Sequence, residues 1–316
     1  MSIAWTAELR RACRGRLLLE EPLAPYTTYR IGGPADAMLT PDGPGDIQRA
    51  VEIVGRHGVP WLVLGLGSNM LVADAGFRGL VIHVGKGLAE VTEGANSWTV
   101  GAGLPTPLLA RRSARRGLGG VHRLVGVPGT VGGGVYMNAG AHGQEFRQVV
   151  QSVTLVNASG EVEQRRAGDI PWRYRASGLG EVVVIEAELR FTPGDPQSLE
   201  EEIADHLRWR KAGTPFSEAC CGSVFRNPAS PVTLPSEGSG AESRELRTAG
   251  QLIDAVGLKG LRIGGAEVSP MHANYIVNLG GASASDVMGI IDAVREQARR
   301  EFGVALELEV QLVGNP

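Results

Sequence analysis

Residues 126–143, GVPGTVGGGVYMNAGAHG, constrain this chain more than any other stretch. Seven glycines fall within those eighteen residues, beside one Pro, one Thr and one Asn. Glycine at that density weakens a helix or strand through backbone entropy, and it lets bare backbone approach a ligand closely. The stretch is therefore expected as a loop that wraps a phosphate or a flat cofactor ring. A flexible linker is the alternative on composition alone. Val125, Val127, Val131, Val135, Tyr136 and Met137 argue against a linker, which rarely carries so many apolar anchors. A second loop of the same kind, Gly65-Leu66-Gly67-Ser68-Asn69, follows the apolar run Trp61–Leu64. Two glycine-rich loops after apolar segments suggest one large ligand held at two places.

The chain has 316 residues, enough for two domains with cores of their own. Its 45 glycines are about twice the ordinary share, which favours turns and backbone-lined sites over a helical bundle. A net charge of −3 gives no basic field to recruit nucleic acid. The Arg clusters at 111–116 and 208–211 read as solvated helix faces. Cys13, Cys220 and Cys221 are an odd number without metal-ligand spacing, which fits a reducing compartment and predicts no metal site. The N-terminal sequence lacks a secretory pattern, and no apolar run is long enough to span a bilayer. A cytoplasmic protein with no membrane partner is the expectation.

Read in order, residues 1–20 give a short polar helix and a connector. Residues 29–34, YRIGGP, form a short extended piece closed by a turn. Residues 37–40 read as a strand. Ile47, Ala50, Val51 and Val54 recur at helical spacing over 46–57, with Gly58 and Pro60 as the stop. Residues 61–64, 79–84 and 97–100 read as strands, and 106–116 as a helix ended by Gly117. The strand 149–156, the turn 157–160 and the return 161–165 make a hairpin, and 182–191 is a strong strand. Pro193-Gly194-Asp195-Pro196 is the best boundary, separating a region 1–194 from a region 195–303 that opens on a helix at 198–210. Residues 229–247, rich in Ser, Pro, Glu and Gly, are expected as an exposed loop. A helix at 249–256 and a strand at 272–277 follow. Residues 285–302 are the clearest helix, with Val287, Ile290, Ile291, Val294, Ala298 and Phe302 on one face. Residues 304–313 alternate, with Leu306, Leu308, Val310 and Leu312 opposite Glu307, Glu309 and Gln311, which predicts a strand. The pattern is α+β, a mixed α/β chain without internal repeats.

Neither glycine loop matches the dinucleotide fingerprint that opens a helix, and there is no phosphate-binding GxxxxGK[ST]. No Gly-x-Ser-x-Gly marks a hydrolase nucleophile. Residues 221–228, CGSVFRNP, offer a hydroxyl, a cation and an amide within five residues, although Ser223 could equally cap a turn. Glu309 could be a solvated residue on a polar strand face. Arg175, close to Trp172 and beside Tyr174, could be a packing residue.

The segments YTTYRIGGPA, LGLGSNML, GVPGTVGGGVYMNAGAHG, YRAS, GSVFRNP, AGQLIDAVGLKGLRIGGAEVSPMHANYIVN and LELEV change that balance. In this order, over about residues 26–313, they resemble the MurB family of UDP-N-acetylenolpyruvoylglucosamine reductases. The resemblance implies an FAD-binding region of the vanillyl-alcohol-oxidase (PCMH) type, then a C-terminal α/β substrate-binding domain over 195–303, with 304–316 returning to the flavin region. It implies non-covalent FAD held by Gly65, Gly67, Ser68 and Asn69, and by Gly126, Pro128, Gly129, Thr130, Gly132, Gly133, Asn138, Gly140 and Ala141, mainly through backbone N–H groups. NADPH would reduce the flavin and leave, and UDP-N-acetylglucosamine enolpyruvate would take its place. Arg175 matches the family's catalytic arginine, Glu309 its glutamate and Ser223 the serine that protonates the carbanion. Less firmly, Arg208 and Lys211 match basic positions that meet the diphosphate, and Tyr174, Asn227 and His272 fall where side chains line the substrate site. His142 stands where many relatives carry Tyr. The chain would be a monomer of the shorter subclass, without the extra tyrosine loop, and Cys220-Cys221 replaces the usual Ser-Ala or Asn-Ala pair. Two rival readings stand beside this one. An oxidase of the same flavin fold would often tether FAD, with His122 or His142 as anchors. A nucleotide-sugar binding protein without turnover would have lost one of Arg175, Ser223 and Glu309.

Overall fold

The computed structural model describes residues 4–234 and 244–314. The chain forms two compact units, one from residues 1–21, 35–66 and 77–210, the other from 22–34, 67–76 and 211–316.

In the first unit a four-stranded sheet runs in the order Arg16–Pro22, Pro34–Thr40, Phe77–His83, Trp61–Leu64. Phe77–His83 pairs in parallel with both of its neighbours. The helix Pro44–Arg56 turns Ile47, Ala50, Val51 and Val54 inward. Burial pushes the Asp46 carboxyl up, but its hydrogen bonds from the N–H groups of Asp42, Arg14 and Gly15 and from Arg49 more than offset this and hold it below the usual range. A five-stranded antiparallel sheet follows, in the order Val162–Arg166, Val150–Asn157, Val182–Arg190, Ser97–Gly101, Val91–Glu93. Trp98 and Phe191 meet edge to face in the core at 5.1 Å.

The second unit is built around Tyr29, Leu71, Phe225, Leu252, Ile253, Ile290, Ile291 and Val294. The helix Ala284–Phe302 starts on a capping box between Ser283 and Asp286 and ends at Gly303 in the left-handed region. Asp74 also accepts from the N–H groups of Ala284 and Ser285, at 2.7 and 3.1 Å. Three short strands, Arg262–Ile263, Ala266–Val268 and Ile276–Asn278, form an antiparallel sheet.

Helical and strand periodicity located most of these elements, with five differences. Residues 1–20 contain the strand Arg16–Pro22 as well as the helix Ala4–Ala12. The stretch 126–143 holds a short helix, Val131–Tyr136, where a loop was expected. In residues 229–247, expected as a loop, Val232–Leu234 pairs with Arg244–Leu246, while 235–243 lie outside the described residues. In 272–277 the strand is only Ile276–Asn278, because Tyr275 N–H closes a turn onto the His272 carbonyl. In 304–313 only Gln311–Val313 forms a ladder, parallel to Met70–Val72, and Leu312 is exposed while Val313 is buried. The compact units also divide at 210/211, not at 194/195. Leu199 and Ile203 of the helix Pro196–Gly213 pack on Ala110, Ala114 and Val125, which draws most of that helix into the first unit. Residues 304–316 cluster with the second unit. Among the described residues no helix is long and apolar enough to cross a membrane.

Candidate active site

In the second unit, the Ser223 segment runs antiparallel to the Glu309 segment. Phe225 bridges Leu308, Arg226 N–H donates to the Glu307 carbonyl at 2.9 Å, and Glu309 N–H donates to the Val224 carbonyl at 2.8 Å. Ser223 is therefore one residue from the peptide that receives Glu309, and both side chains are half-buried. The other edge of the segment is held by Asn274, a buried residue. Its backbone carbonyl accepts from Val224 N–H at 2.9 Å. Its Oδ1 accepts from Phe225 N–H at 2.9 Å, and its Nδ2 donates to the Phe225 carbonyl at 2.8 Å. Asn274 was missed in sequence, where it is one polar residue in MHANYIVN.

Cys221 is buried beneath this segment, and burial, with Cys220 next to it, pushes its thiol pKa well up. It is a protonated packing group at neutral pH, not a nucleophile. All three cysteines are free. Asn227 is exposed, and its Oδ1 accepts from Ala249 N–H at 3.1 Å, at the start of the helix Ala249–Ala255. His272 Nδ1 accepts from Asn274 N–H at 3.2 Å, and the ring meets Tyr275 edge-on at 4.7 Å. Lys211 is exposed.

Gly67, Ser68 and Asn69 also belong to the second unit. Gly67 has φ +59°, and a Cβ there would lie 2.4 Å from the Tyr26 carbonyl, so only glycine fits. Asn69 Nδ2 donates to the Glu309 carbonyl at 3.1 Å, and the Asn69 carbonyl accepts from Gln311 N–H at 2.9 Å.

In the first unit the main glycine stretch is organised by Thr130. Its hydroxyl caps the helix Val131–Tyr136 by accepting from Gly133 N–H at 3.4 Å. Gly132 N–H donates to the Ala102 carbonyl at 2.8 Å and Gly134 N–H to the Thr130 carbonyl at 2.8 Å. The N–H groups of Gly132 and Gly133 are thus engaged within the protein. Packing is what requires the glycines. A Cβ on Gly134 would sit 2.3 Å from the Phe146 ring, and one on Gly132 2.7 Å from Ala102. A Cβ on Gly65 would lie 2.8 Å from Thr130 Oγ1, so the two glycine-rich stretches meet there. Thr106 N–H donates to the Gly129 carbonyl at 2.9 Å, next to Pro128.

Asn138, fully buried with φ 44°, also works inward. Its Nδ2 donates to Glu145 Oε2 at 3.2 Å and to the Arg173 carbonyl at 3.0 Å, and its Oδ1 accepts from Arg147 N–H at 3.1 Å. It fastens the 173–176 turn that carries Arg175. Arg175 has φ 55°, a strained value for a residue with a side chain, and such strain persists where the surroundings enforce it. Its guanidinium lies 4.7 Å from the Tyr174 ring centre. A Cβ on Gly140 would come within 3.1 Å of Arg175 Nη1, so Gly140 also leaves room for the arginine.

Gly140–Ala141 and Gln144–Glu145 pair across a turn at His142 (φ 50°) and Gly143 (φ 80°). The His142 ring stacks on His206 at 4.0 Å and meets Trp209 edge-on at 5.0 Å. Arg123 Nε donates to Glu202 Oε2 at 2.9 Å, and His122 Nε2 lies 3.2 Å from the same oxygen. Burial holds His142 below its ordinary pKa, and His206, Arg210 and Arg123 add to this. On the helix Pro196–Gly213, Arg208 is exposed and paired with Asp205. Arg210 instead lies against the glycine stretch, where a Cβ on Gly126 would be 2.6 Å from its Cδ. Glu202, His206, Trp209 and Arg210 were missed in sequence, although their i, i+4, i+7, i+8 spacing placed them on one helix face. Among the described residues no three His, Cys, Asp or Glu side chains cluster as a metal site.

Comparison with known proteins matches both parts of the chain. A family model described as UDP-N-acetylenolpyruvoylglucosamine reductase, C-terminal domain, matches residues 214–313, and one described as FAD binding domain matches residues 35–165. The UDP-N-acetylenolpyruvoylglucosamine reductase of Rubrobacter xylanophilus is 43% identical over 300 residues, which are 94% of this chain and 95% of that one. That of Bacillus subtilis is 37% identical over 310 residues, 97% of each chain. The crystal structure of the reductase MurB from Thermus caldophilus superposes with a TM-score of 0.78 at 33% identity, covering 95% of this chain and 99% of that one.

Proposed function

The chain belongs to the UDP-N-acetylenolpyruvoylglucosamine reductase family, and from that membership we infer that Arg175, Ser223 and Glu309 carry its chemistry. The enzyme uses FAD and NADPH to reduce UDP-N-acetylglucosamine enolpyruvate to UDP-N-acetylmuramate, a peptidoglycan precursor. The observation that carries the assignment of residues is the pairing of Glu309 N–H with the Val224 carbonyl, one residue from Ser223.

Several features fit a bound flavin. Gly65 and Thr130 bring the two glycine stretches together. Among the described residues the N–H groups of Leu66 and Gly67 make no hydrogen bond, which leaves them for phosphate oxygens. His122 Nδ1 accepts from Gly120 N–H while its Nε2 faces Glu202, an arrangement that favours a non-covalent flavin. Bound FAD, reduced by NADPH, would supply the hydride that adds to the terminal methylene of the enol ether. Negative charge then develops on the carbon bearing the carboxylate and spreads into that carboxylate. Arg175, a fixed cation, binds the carboxylate and stabilises the developing charge. Ser223 Oγ gives its proton to the carbon, which completes the lactyl ether. A protonated Glu309 would donate a hydrogen bond to the substrate carboxylate.

Residues 211–303 are assigned to the nucleotide sugar, with Lys211, Tyr174, His142, His272 and Asn227 as contacts, and Arg210, less exposed than Arg208, is the candidate cation near the glycine stretch. The enzyme is read as a cytoplasmic monomer, where NADPH and nucleotide sugars are available.

Anaerobic visible absorbance tests the whole reaction. NADPH should bleach the flavin, and UDP-N-acetylglucosamine enolpyruvate should restore it. With Glu309→Gln the bleaching should remain and the restoration should slow. Equal slowing of both steps would give Glu309 a structural role only.

A further inference from the structure

We propose that Asn69 is a positioning residue for Glu309, acting through the backbone of the strand that carries it. Asn69 lies in the first glycine-rich loop, 240 residues from Glu309 in sequence. Its carboxamide is nonetheless turned onto the Glu309 peptide, with Nδ2 donating to the carbonyl at 3.1 Å. The backbone carbonyl of Asn69 accepts from Gln311 N–H at 2.9 Å. One residue thus brackets positions 309 and 311 with a side-chain donor and a main-chain acceptor.

The bracket sits where two kinds of pairing change over. Beyond it, Gln311–Val313 runs parallel to Met70–Val72 in a regular ladder. Before it, residues 307–309 pair antiparallel with 224–226. At Glu309 neither ladder is complete. Its N–H goes to Val224 at 2.8 Å, and its carbonyl accepts from the Asn69 carboxamide at 3.1 Å. Asn69 therefore extends the parallel ladder by one hydrogen bond, and fixes the rotation of the peptide from which the Glu309 side chain departs. Only a side chain with an N–H donor on a short stem does this. Aspartate would set a carboxylate against a carbonyl, and alanine would remove the donor.

A bond of this kind contributes little to global stability. In catalysis a displacement of about 1 Å in an acting group costs on the order of a hundredfold. The effect is expected in the step that uses Glu309. It rests on the role assigned to Glu309 above.

The test uses the FAD holoenzyme of Asn69→Ala, Glu309→Gln and the double variant. Both half-reactions are followed anaerobically, with FAD affinity by fluorescence. Asn69→Ala should slow flavin reoxidation by the enolpyruvyl sugar about tenfold to a hundredfold. In enzyme saturated with FAD, NADPH reduction should slow less than reoxidation, and the double variant should be no slower than Glu309→Gln alone. Equal slowing of both half-reactions in FAD-saturated enzyme, unchanged reoxidation, or fully additive effects in the double variant would each overturn the proposal. If Glu309→Gln itself leaves reoxidation intact, the role of Glu309 fails instead. Asn69→Ser supports the same comparisons should the alanine variant not accumulate as folded protein.

Discussion

Glu309 N–H donates to the carbonyl of Val224 at 2.8 Å, so a residue from the last turn of the chain and the residue after Ser223 share one hydrogen bond. That bond couples the placement of a carboxyl group to the placement of a hydroxyl group, 86 positions apart in the numbering. It makes the Ser223 segment the part of the molecule where substitutions should separate chemistry from folding most cleanly.

Ser223→Ala removes the proposed proton donor and little else. Flavin reduction by NADPH should keep its rate, while reoxidation by the enolpyruvyl sugar should fall by about a hundredfold to ten-thousandfold. Stopped-flow absorbance at the flavin band separates the two steps. Unchanged reoxidation would remove Ser223 from the mechanism.

Asn274→Ala takes away both partners of a buried peptide, since Oδ1 and Nδ2 bracket Phe225 at 2.9 and 2.8 Å. Leaving that N–H and carbonyl unpaired in the core should cost about 2–4 kcal/mol. Urea unfolding of the holoenzyme measures it. A cost well below 1 kcal/mol would mean that water or a shifted backbone replaces the amide.

Gly134→Ala should destabilise the protein by about 1–3 kcal/mol, because the added methyl would lie 2.3 Å from the Phe146 ring in a filled core. Phe146→Leu in the same chain should recover part of that loss. If the double variant is as unstable as the two single effects summed, steric conflict with Phe146 is not the cause.

Acidification should act through the histidines before it reaches the carboxylates. Burial holds His142 and His122 below their ordinary value of 6.5, against the pull of Glu202 at His122. The unfolded chain takes up these protons near 6.5 and the folded chain only at lower pH. Stability is therefore full above about 6.5 and declines as pH falls from there toward the folded values. The melting temperature should drop between pH 7.5 and pH 5.5. His142→Phe keeps a ring against His206 and Trp209 and should flatten that decline. An equal slope in the variant would exclude His142 as a source.

Much of the architecture was legible because it is local. Ile47, Ala50, Val51 and Val54, and the row from Val287 to Ala298, show helical period in the letters themselves. The family-specific segments marked Arg175, Ser223 and Glu309. The alternation at 304–313 was misleading: Leu306 and Val310 are buried as it implies, but Leu312 is exposed, since the segment changes partners after Glu309 and loses its simple two-residue period. The glycines of 126–143 misled for a related reason. What excludes a side chain at Gly134 is Phe146, and no property of Gly134 alone says whether its N–H faces a ligand or the Thr130 carbonyl.

The sequence by itself determined the helices, most strands, the two glycine-rich stretches and the family. Only the tertiary structure decided that Asn69, Asn138 and Asn274 turn their amides onto the backbones of Glu309, Arg173 and Phe225. Periodicity is written in neighbouring residues, whereas an asparagine's partner is whichever unpaired peptide group packing brings within about 3 Å, and that peptide can lie anywhere along the chain.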